Sequence, residues 1–343
     1  MRWQADDPLE TFIRSSFLCD VRIPDATLDL PTDDLQHVRY RLMTGEKLAQ
    51  NNELLKQVYA LLMLAHYQTT PQDLRLLLDH PQHTIYLCYV DDCLVGMAWV
   101  AQEGNLGSTL AQQISLGRRR IQGHLLAQIL AQQAGFSIAC EMRSWRIQRL
   151  VVLPRLQGKG FGSALLSHIY ACGEAHQIDF IGASFSASNN TLCFWLANNF
   201  TPTWLGLRPD TATGLNSVQV IQPISHGAKA LKHQLKCHFK GYLDFGKGMW
   251  FTSVDAETWQ GIYPKFTHAT AAMLNVEQQQ RLLILLAKGH AGFSGPLHLL
   301  YQQQLNDKDK QLVMHAAQNN THKGLQKDVR RLALSLLPPE SEQ

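Results

Sequence analysis

No stretch of the 343-residue chain approaches the ~18 consecutive apolar residues that cross a bilayer. The opening Met1-Arg-Trp-Gln-Ala-Asp-Asp has no apolar signal region. A membrane span and a secretory leader are therefore not expected, and a soluble cytoplasmic protein is. Cysteine is sparse: Cys19, Cys88, Cys93, Cys140, Cys172, Cys193 and Cys237 are odd in number and never form a CxxC pair. That pattern argues against a disulfide framework and a zinc knuckle, and no metal site is expected. Charge is also scarce, 17% DEKR against 45% hydrophobic residues, so the chain can fill a core and global disorder is excluded. No internal repeat is present. At about 100–200 residues per domain, the length exceeds that of a single small binding module and suggests two domains, or one large domain with an appendage.

The net charge of +3 is unevenly distributed. Residues 1–34 carry three Arg against eight Asp and Glu, net −5. Residues 221–343 carry 14 Lys and Arg against 9 Asp and Glu, net +5, with eight His besides. An anionic partner is expected at the basic end.

Hydrophobic spacing sets out the elements. Leu54, Leu55, Val58, Leu61, Leu62 and Ala65 recur at helical period and end near His66. Thr70 as N-cap and Pro71 at the first helical position open a second helix lined by Leu74, Leu77 and Leu78. Strands are predicted from Thr84 to Val90 and Leu94 to Ala101, joined at Asp91-Asp92 in a tight hairpin. Leu106 to Arg146 reads mostly as helix, and Ile147 to Leu153 as a strand that stops at Pro154. A helix carrying Leu165, Leu166 and Ile169 follows, then a strand from Phe180 to Phe185 and a short helix ending at Asn198. β segments near Thr203 to Leu207 and Ser217 to Ile221 close a mixed sheet. Beyond Pro223 only helical patterns remain, which places a boundary there.

The stretch with chemical content is Arg149 to Ser163, where a strand enters a glycine-rich turn at a helix N-terminus. Such a turn offers unpaired amides and the positive end of a helix dipole to a phosphate. The spacing Gly158-Lys159-Gly160-Phe161-Gly162 fits neither GxGxxG nor a P-loop, because Lys159 is followed by glycine. It does fit (Gln/Arg)-x-x-Gly-x-(Gly/Ala), here Gln157-x-x-Gly160-x-Gly162, and so resembles the GNAT superfamily of N-acetyltransferases.

The likeness sharpens along the chain. His66-Tyr-Gln-Thr-Thr-Pro71, Gly123-His-Leu-Leu-Ala-Gln128, Arg149 to Gly162, Ser184-Phe185 and Leu192-Cys-Phe194-Trp195 occur in the order found in bacterial tRNA(Met) cytidine acetyltransferases. The chain resembles the acetyltransferase and C-terminal helical parts of that family over nearly its whole length. No Walker A motif is present, so the family's helicase-like ATPase module is expected to be missing and no ATP is expected.

The resemblance implies an α/β fold with a GNAT-type mixed, mostly antiparallel sheet flanked by helices, then a mainly α-helical C-terminal domain. Its parts would be an extension or linker at 1–48, the acetyltransferase domain at 49–223 and a basic tRNA-binding domain at 224–343. It further implies that acetyl-CoA lies along Leu150, Val151 and Val152, with its pyrophosphate on Gln157, Gly158, Lys159, Gly160, Phe161, Gly162 and Ser163. Asn190 and Trp195 would complete the cofactor set. Asn190 and Ala197 stand where close relatives are expected to carry Glu and Arg, which puts contacts at those slots in doubt. Trp195 occupies the slot of a thiolate-protonating Tyr, a role an indole N–H cannot fill, and is expected to pack on the cofactor or the base.

His66 and His124 are the candidate proton carriers, each also readable as an ordinary structural histidine. Arg118, Arg119 and Arg120 could meet RNA phosphate, the 3′-phosphate of CoA, or only water. Lys229, Lys232, Lys236 and Lys240 form one helical stripe. Lys323, Lys327, Arg330 and Arg331 form another, set against Leu325, Val329, Leu332 and Leu336. Both suit the phosphates of a folded RNA, or a solvated helix face. The expected reaction is N4-acetylation of the wobble cytidine in the anticodon loop of elongator methionine tRNA. An acetyltransferase of small amines or protein lysine, and a non-catalytic tRNA-binding protein, are the alternatives. Oligomeric state is not legible.

Overall fold

The computed structural model describes residues 7–16, 18, 35–65, 70–247, 251, 254–266, 274–289, 294–318 and 323–337. After α1 (Pro8–Ser16), β1 (Val38–Thr44) leads through α2 (Gly45–Ala49), α3 (Asn52–Ala65) and α4 (Pro71–Asp79) to the hairpin of β2 (His83–Val90) and β3 (Cys93–Gly104). Then come α5 (Ser108–Ser115), α6 (Leu125–Ala134), α7 (Ile138–Glu141), β4 (Arg143–Val152), α8 (Phe161–Ala175), β5 (Phe180–Ser186) and α9 (Asn189–Ala197). Strands β6 (Thr201–Pro209) and β7 (Asn216–Pro223) precede six α-helices among the described residues. These are α10 (His226–Gly246), α11 (Ala256–Ile262), α12 (Val276–Lys288), α13 (Ser294–Gln302), α14 (Asp307–Gln318) and α15 (Lys323–Ser335). Among the described residues no helix is long and apolar enough to cross a membrane.

Among the described residues the strands are ordered β1-β2-β3-β4-β5-β7-β6. Antiparallel pairs join β1 to β2, β2 to β3, β5 to β7 and β6 to β7, giving the mostly antiparallel sheet flanked by helices that the GNAT reading requires. Two strand assignments differ from expectation. Residues 38–44, expected to lie in an extension, form β1, with Val38 opposite Val90 and Thr44 opposite Thr84. Strand β4 begins at Arg143, not Ile147, so Arg143 to Arg146 belong to the sheet.

The chain divides into two compact units, 1–102 with 147–172, and 103–146 with 173–343. None of the three edges between them falls at Pro223. In the first unit, Thr70 and Asp73 form a reciprocal capping box on α4 with Pro71 in its first turn. The start of α2 packs so closely that a Cβ on Gly45 would stand 2.1 Å from the Leu78 carbonyl oxygen. In the second unit one apolar cluster takes Leu126 and Leu130 from α6, Phe180 from β5 and Ile221 from β7. It continues without a seam into Leu231 and Leu235 of α10, Leu282 and Leu285 of α12 and Leu299 of α13. That shared core is why the helices after residue 223 do not separate from β5 and β7.

Candidate active site

Strand β4 runs into a 3-10 turn at Pro154–Leu156, then Gln157 to Gly160, then α8. Leu153 N–H donates to the Val95 carbonyl at 2.9 Å, keeping β3 and β4 paired to the last residue before the turn. The Gln157 side-chain amide donates to the Val152 carbonyl at 3.1 Å, so this residue braces the turn against the strand end. Gly158 and Gly160 hold φ of +76° and +91°, a region that L side chains rarely adopt. A Cβ on Gly158 would meet nothing within 4 Å, and one on Gly160 only Leu35 Cδ1 at 3.2 Å. The open side of the turn is therefore bare backbone. The Gly160 carbonyl accepts the Ala164 N–H at 2.9 Å. As the first amides of α8, Phe161, Gly162 and Ser163 point out of the helix start with the positive end of its dipole. The Phe161 side chain is core, 1% exposed, so only its amide can serve a ligand.

Of the two candidate histidines, His66 lies outside the described residues. His124, in the second unit, accepts the Gly104 N–H on Nδ1 at 2.9 Å. Its proton must then sit on Nε2 in the neutral ring, and the imidazole ties the end of β3 to the start of α6. Beside it lies a pair that the sequence reading missed. Glu103, its side chain 0% exposed, is ion-paired with the Arg146 Nε. It also accepts from the Leu126 N–H at 2.8 Å and the Ala127 N–H at 3.4 Å. A buried carboxylate at the end of Cys93–Gly104, a strand apolar from Leu94 to Ala101, was the available signal; its partner was hidden because Arg146 was assigned to a helix.

A family model described as GNAT acetyltransferase 2 matches residues 57–176. The tRNA(Met) cytidine acetyltransferase TmcA of Vibrio cholerae is 37% identical over 222 residues, covering 65% of this chain and 30% of that protein. The TmcA of Nitrosococcus halophilus is 33% identical over 244 residues, covering 71% and 32%. The chain is similar in sequence to the tRNA(Met) cytidine acetyltransferases, and its residues 57–176 match the GNAT model. It spans about a third of the length of these curated relatives. Among solved structures, Arabidopsis thaliana Naa50 in complex with a bisubstrate analogue is 15% identical, covering 55% of this chain and 99% of that one, with a TM-score of 0.38. An overlap that loose supports no comparison of sites.

The remaining candidates fall in the second unit. Trp195 is 5% exposed, stacked on Phe185 at 5.7 Å and edge-on to Phe200 at 4.7 Å, so its ring packs in an aromatic cluster of its own unit. Asn190 is exposed in the first turn of α9, whose N-cap is Ser188. Arg118, Arg119 and Arg120 are exposed in the loop after α5. The α10 stripe is not uniform. Lys229 is exposed and Lys232 half-buried, whereas Lys236 lies 6.0 Å from the Phe266 ring centroid and Lys240 pairs with Asp244. On α15, Lys323 and Lys327 are exposed and Arg331 stands 3.8 Å from Asp328. Arg330 instead lies over Gly289, the left-handed cap of α12, where a Cβ would meet its guanidinium carbon at 2.6 Å. A cation at a helix C-terminus is a structural arrangement.

Proposed function

We propose that this chain transfers the acetyl group of acetyl-CoA to the exocyclic N4 of the wobble cytidine in the anticodon of elongator methionine tRNA, in the cytoplasm. The observation that carries the reading is the open backbone turn at Gly158 and Gly160, set after β4 and before α8 in a chain similar in sequence to tRNA(Met) cytidine acetyltransferases. Acetyl-CoA would supply an activated thioester and a thiol leaving group. The amides of Gly158 to Ser163 would hold its pyrophosphate by charge-assisted hydrogen bonds. The backbone of Leu150 to Val152 would pair with its pantetheine arm and direct an N–H at the thioester oxygen.

Cytosine N4 is uncharged at neutral pH, so no proton need leave before attack, and orientation of the amine is a large part of the rate. As the C–N bond forms and the C–S bond breaks, N4 loses one proton and the thiolate gains one. His66 remains a candidate carrier. His124 can donate a hydrogen bond from Nε2, but it could carry a proton only if Nδ1 let go of the Gly104 N–H. The loop base is unpaired, so presenting it costs little. The test is incubation with labelled acetyl-CoA and total tRNA, with and without ATP, followed by nucleoside analysis. N4-acetylcytidine in methionine tRNA, formed equally without ATP, is the expected result. Labelling of small amines or protein lysine without RNA would replace the reading, and RNA binding without acetyl-CoA affinity would leave a binding protein.

A further inference from the structure

Arg146 is gripped by one nitrogen. Its Nε donates to Glu103, and its side chain, 14% exposed, has no other partner among the described residues. The two terminal nitrogens therefore remain as a planar pair of donors fixed in direction. The anchor is costly to build: the Glu103 carboxylate is fully buried and satisfied by the guanidinium and by the Leu126 and Ala127 amides at the start of α6. Apolar residues would stabilise such a site as well or better, so the pair makes sense where its geometry is used.

The geometry points to Arg146 as the residue that recognises the acceptor base, its terminal nitrogens donating to O2 and N3 of cytosine. This rests on the cytidine reading above. Because Glu103 already offsets its charge, the fork suits a neutral, planar pair of acceptors better than a phosphate, which rewards net charge. Cytosine presents O2 and N3 side by side next to its reactive amine. Adenine has its amine beside N1 but a C–H where cytosine has O2, and guanine has its amine between the N1–H donor and N3, with no carbonyl next to N3. Uracil turns N3 into a donor, which would face the fork donor to donor. Arg146 and Glu103 both belong to the second unit, Arg146 in the first half of β4.

The test is a chemical double-mutant cycle on a methionine anticodon stem-loop carrying cytidine or 3-deazacytidine, in which N3 is replaced by C–H. Wild type and Arg146→Lys are compared by kcat/KM. Lysine keeps the charge beside Glu103 but loses the fork. The proposal expects Arg146→Lys to lose roughly ten- to hundredfold on cytidine, with unchanged melting temperature and acetyl-CoA affinity. It also expects the deaza substitution to cost Arg146→Lys much less than it costs wild type. Equal losses in both proteins overturn it, as does a uniform weakening of RNA binding with the base preference intact, which would make Arg146 a phosphate contact. Should Arg146→Lys fail to fold, Glu103→Met/Arg146→Met, an apolar replacement of the whole pair, is put through the same cycle with the same criteria. Absence of N4-acetylcytidine with wild type and cytidine would overturn the cytidine reading itself, a result distinct from product formed with equal losses.

Discussion

Gly160 combines a φ of +91° with nothing nearer a built Cβ than Leu35 Cδ1 at 3.2 Å. Its glycine character answers to backbone conformation and to whatever approaches the bare turn, not to packing. Gly160→Asp is expected to weaken acetyl-CoA binding more than tenfold, since hydrogen bonds to charged groups contribute about 1.5–3 kcal/mol each and a carboxylate would replace the pyrophosphate. Calorimetry on the folded variant checks this, and unchanged affinity would remove the turn from the site. A second residue-scale expectation concerns His238, 4% exposed, whose ring lies 4.8 Å from that of His298 and 6.1 Å from Phe136. Burial and then His298 hold its pKa well below the usual 6.5, despite a hydrogen bond with the Gln133 backbone that opposes the shift. His238 is therefore neutral in the fold, whereas the unfolded chain binds a proton below about pH 6.5. Stability from this group is complete above that value and falls as pH drops below it, by up to about 1.4 kcal/mol per pH unit. His238→Leu should flatten the difference between urea midpoints at pH 7.5 and 5.5; an unaltered difference would assign the acid sensitivity elsewhere.

Helix α10 shows how a pattern legible in sequence can be right in outline and incomplete in consequence. The 3, 4, 4 spacing of its lysines does line one side, and Leu231, Leu235 and Phe239 are buried on the other. Yet the partners of Lys236 and Lys240, Phe266 and Asp244, come from packing and local pairing that spacing does not weigh. At roughly 0.9 per phosphate contact, Lys229→Gln/Lys232→Gln should lower the salt slope of tRNA binding by about 2. Lys236→Gln/Lys240→Gln should leave the slope unchanged. Filter binding at several salt concentrations decides, and equal effects of the two pairs would return all four lysines to the RNA face. Elements with a strong period or a cap were readable: the N-cap at Thr70, the Asp91-Asp92 turn, and the β4 to α8 passage. Strand β1 was not, because Arg39, Arg41 and Leu42 are exposed and blur its alternation. Arg146 was not, because a charged residue inside a sheet is explained only by Glu103, 43 positions away.

For the whole molecule, the change of pattern at Pro223 is real, since strands end there, but an end of strands is not an end of a core. Periodicity tells which face of a helix is apolar and cannot tell which neighbour covers it. Leu231 and Leu235, expected to serve a separate C-terminal domain, share their cluster with Leu126, Phe180 and Ile221. Gly182 on β5 gives the same account from the sheet side: a Cβ there would stand 2.3 Å from Leu126 Cδ2, so β5 and α6 meet without room for a side chain. Cutting between residues 223 and 224 would therefore strip apolar cover from both pieces, at about 25 cal/mol per Å2 exposed. Fragment 224–343 expressed alone is expected to show helical far-ultraviolet circular dichroism but no cooperative urea transition, and fragment 49–223 to aggregate. Co-expression of the two should restore soluble material. A sharp transition in 224–343 alone, at the midpoint of the intact chain, would show that α10, α12 and α13 hold their own core and that the cluster shared with β5 and β7 contributes little.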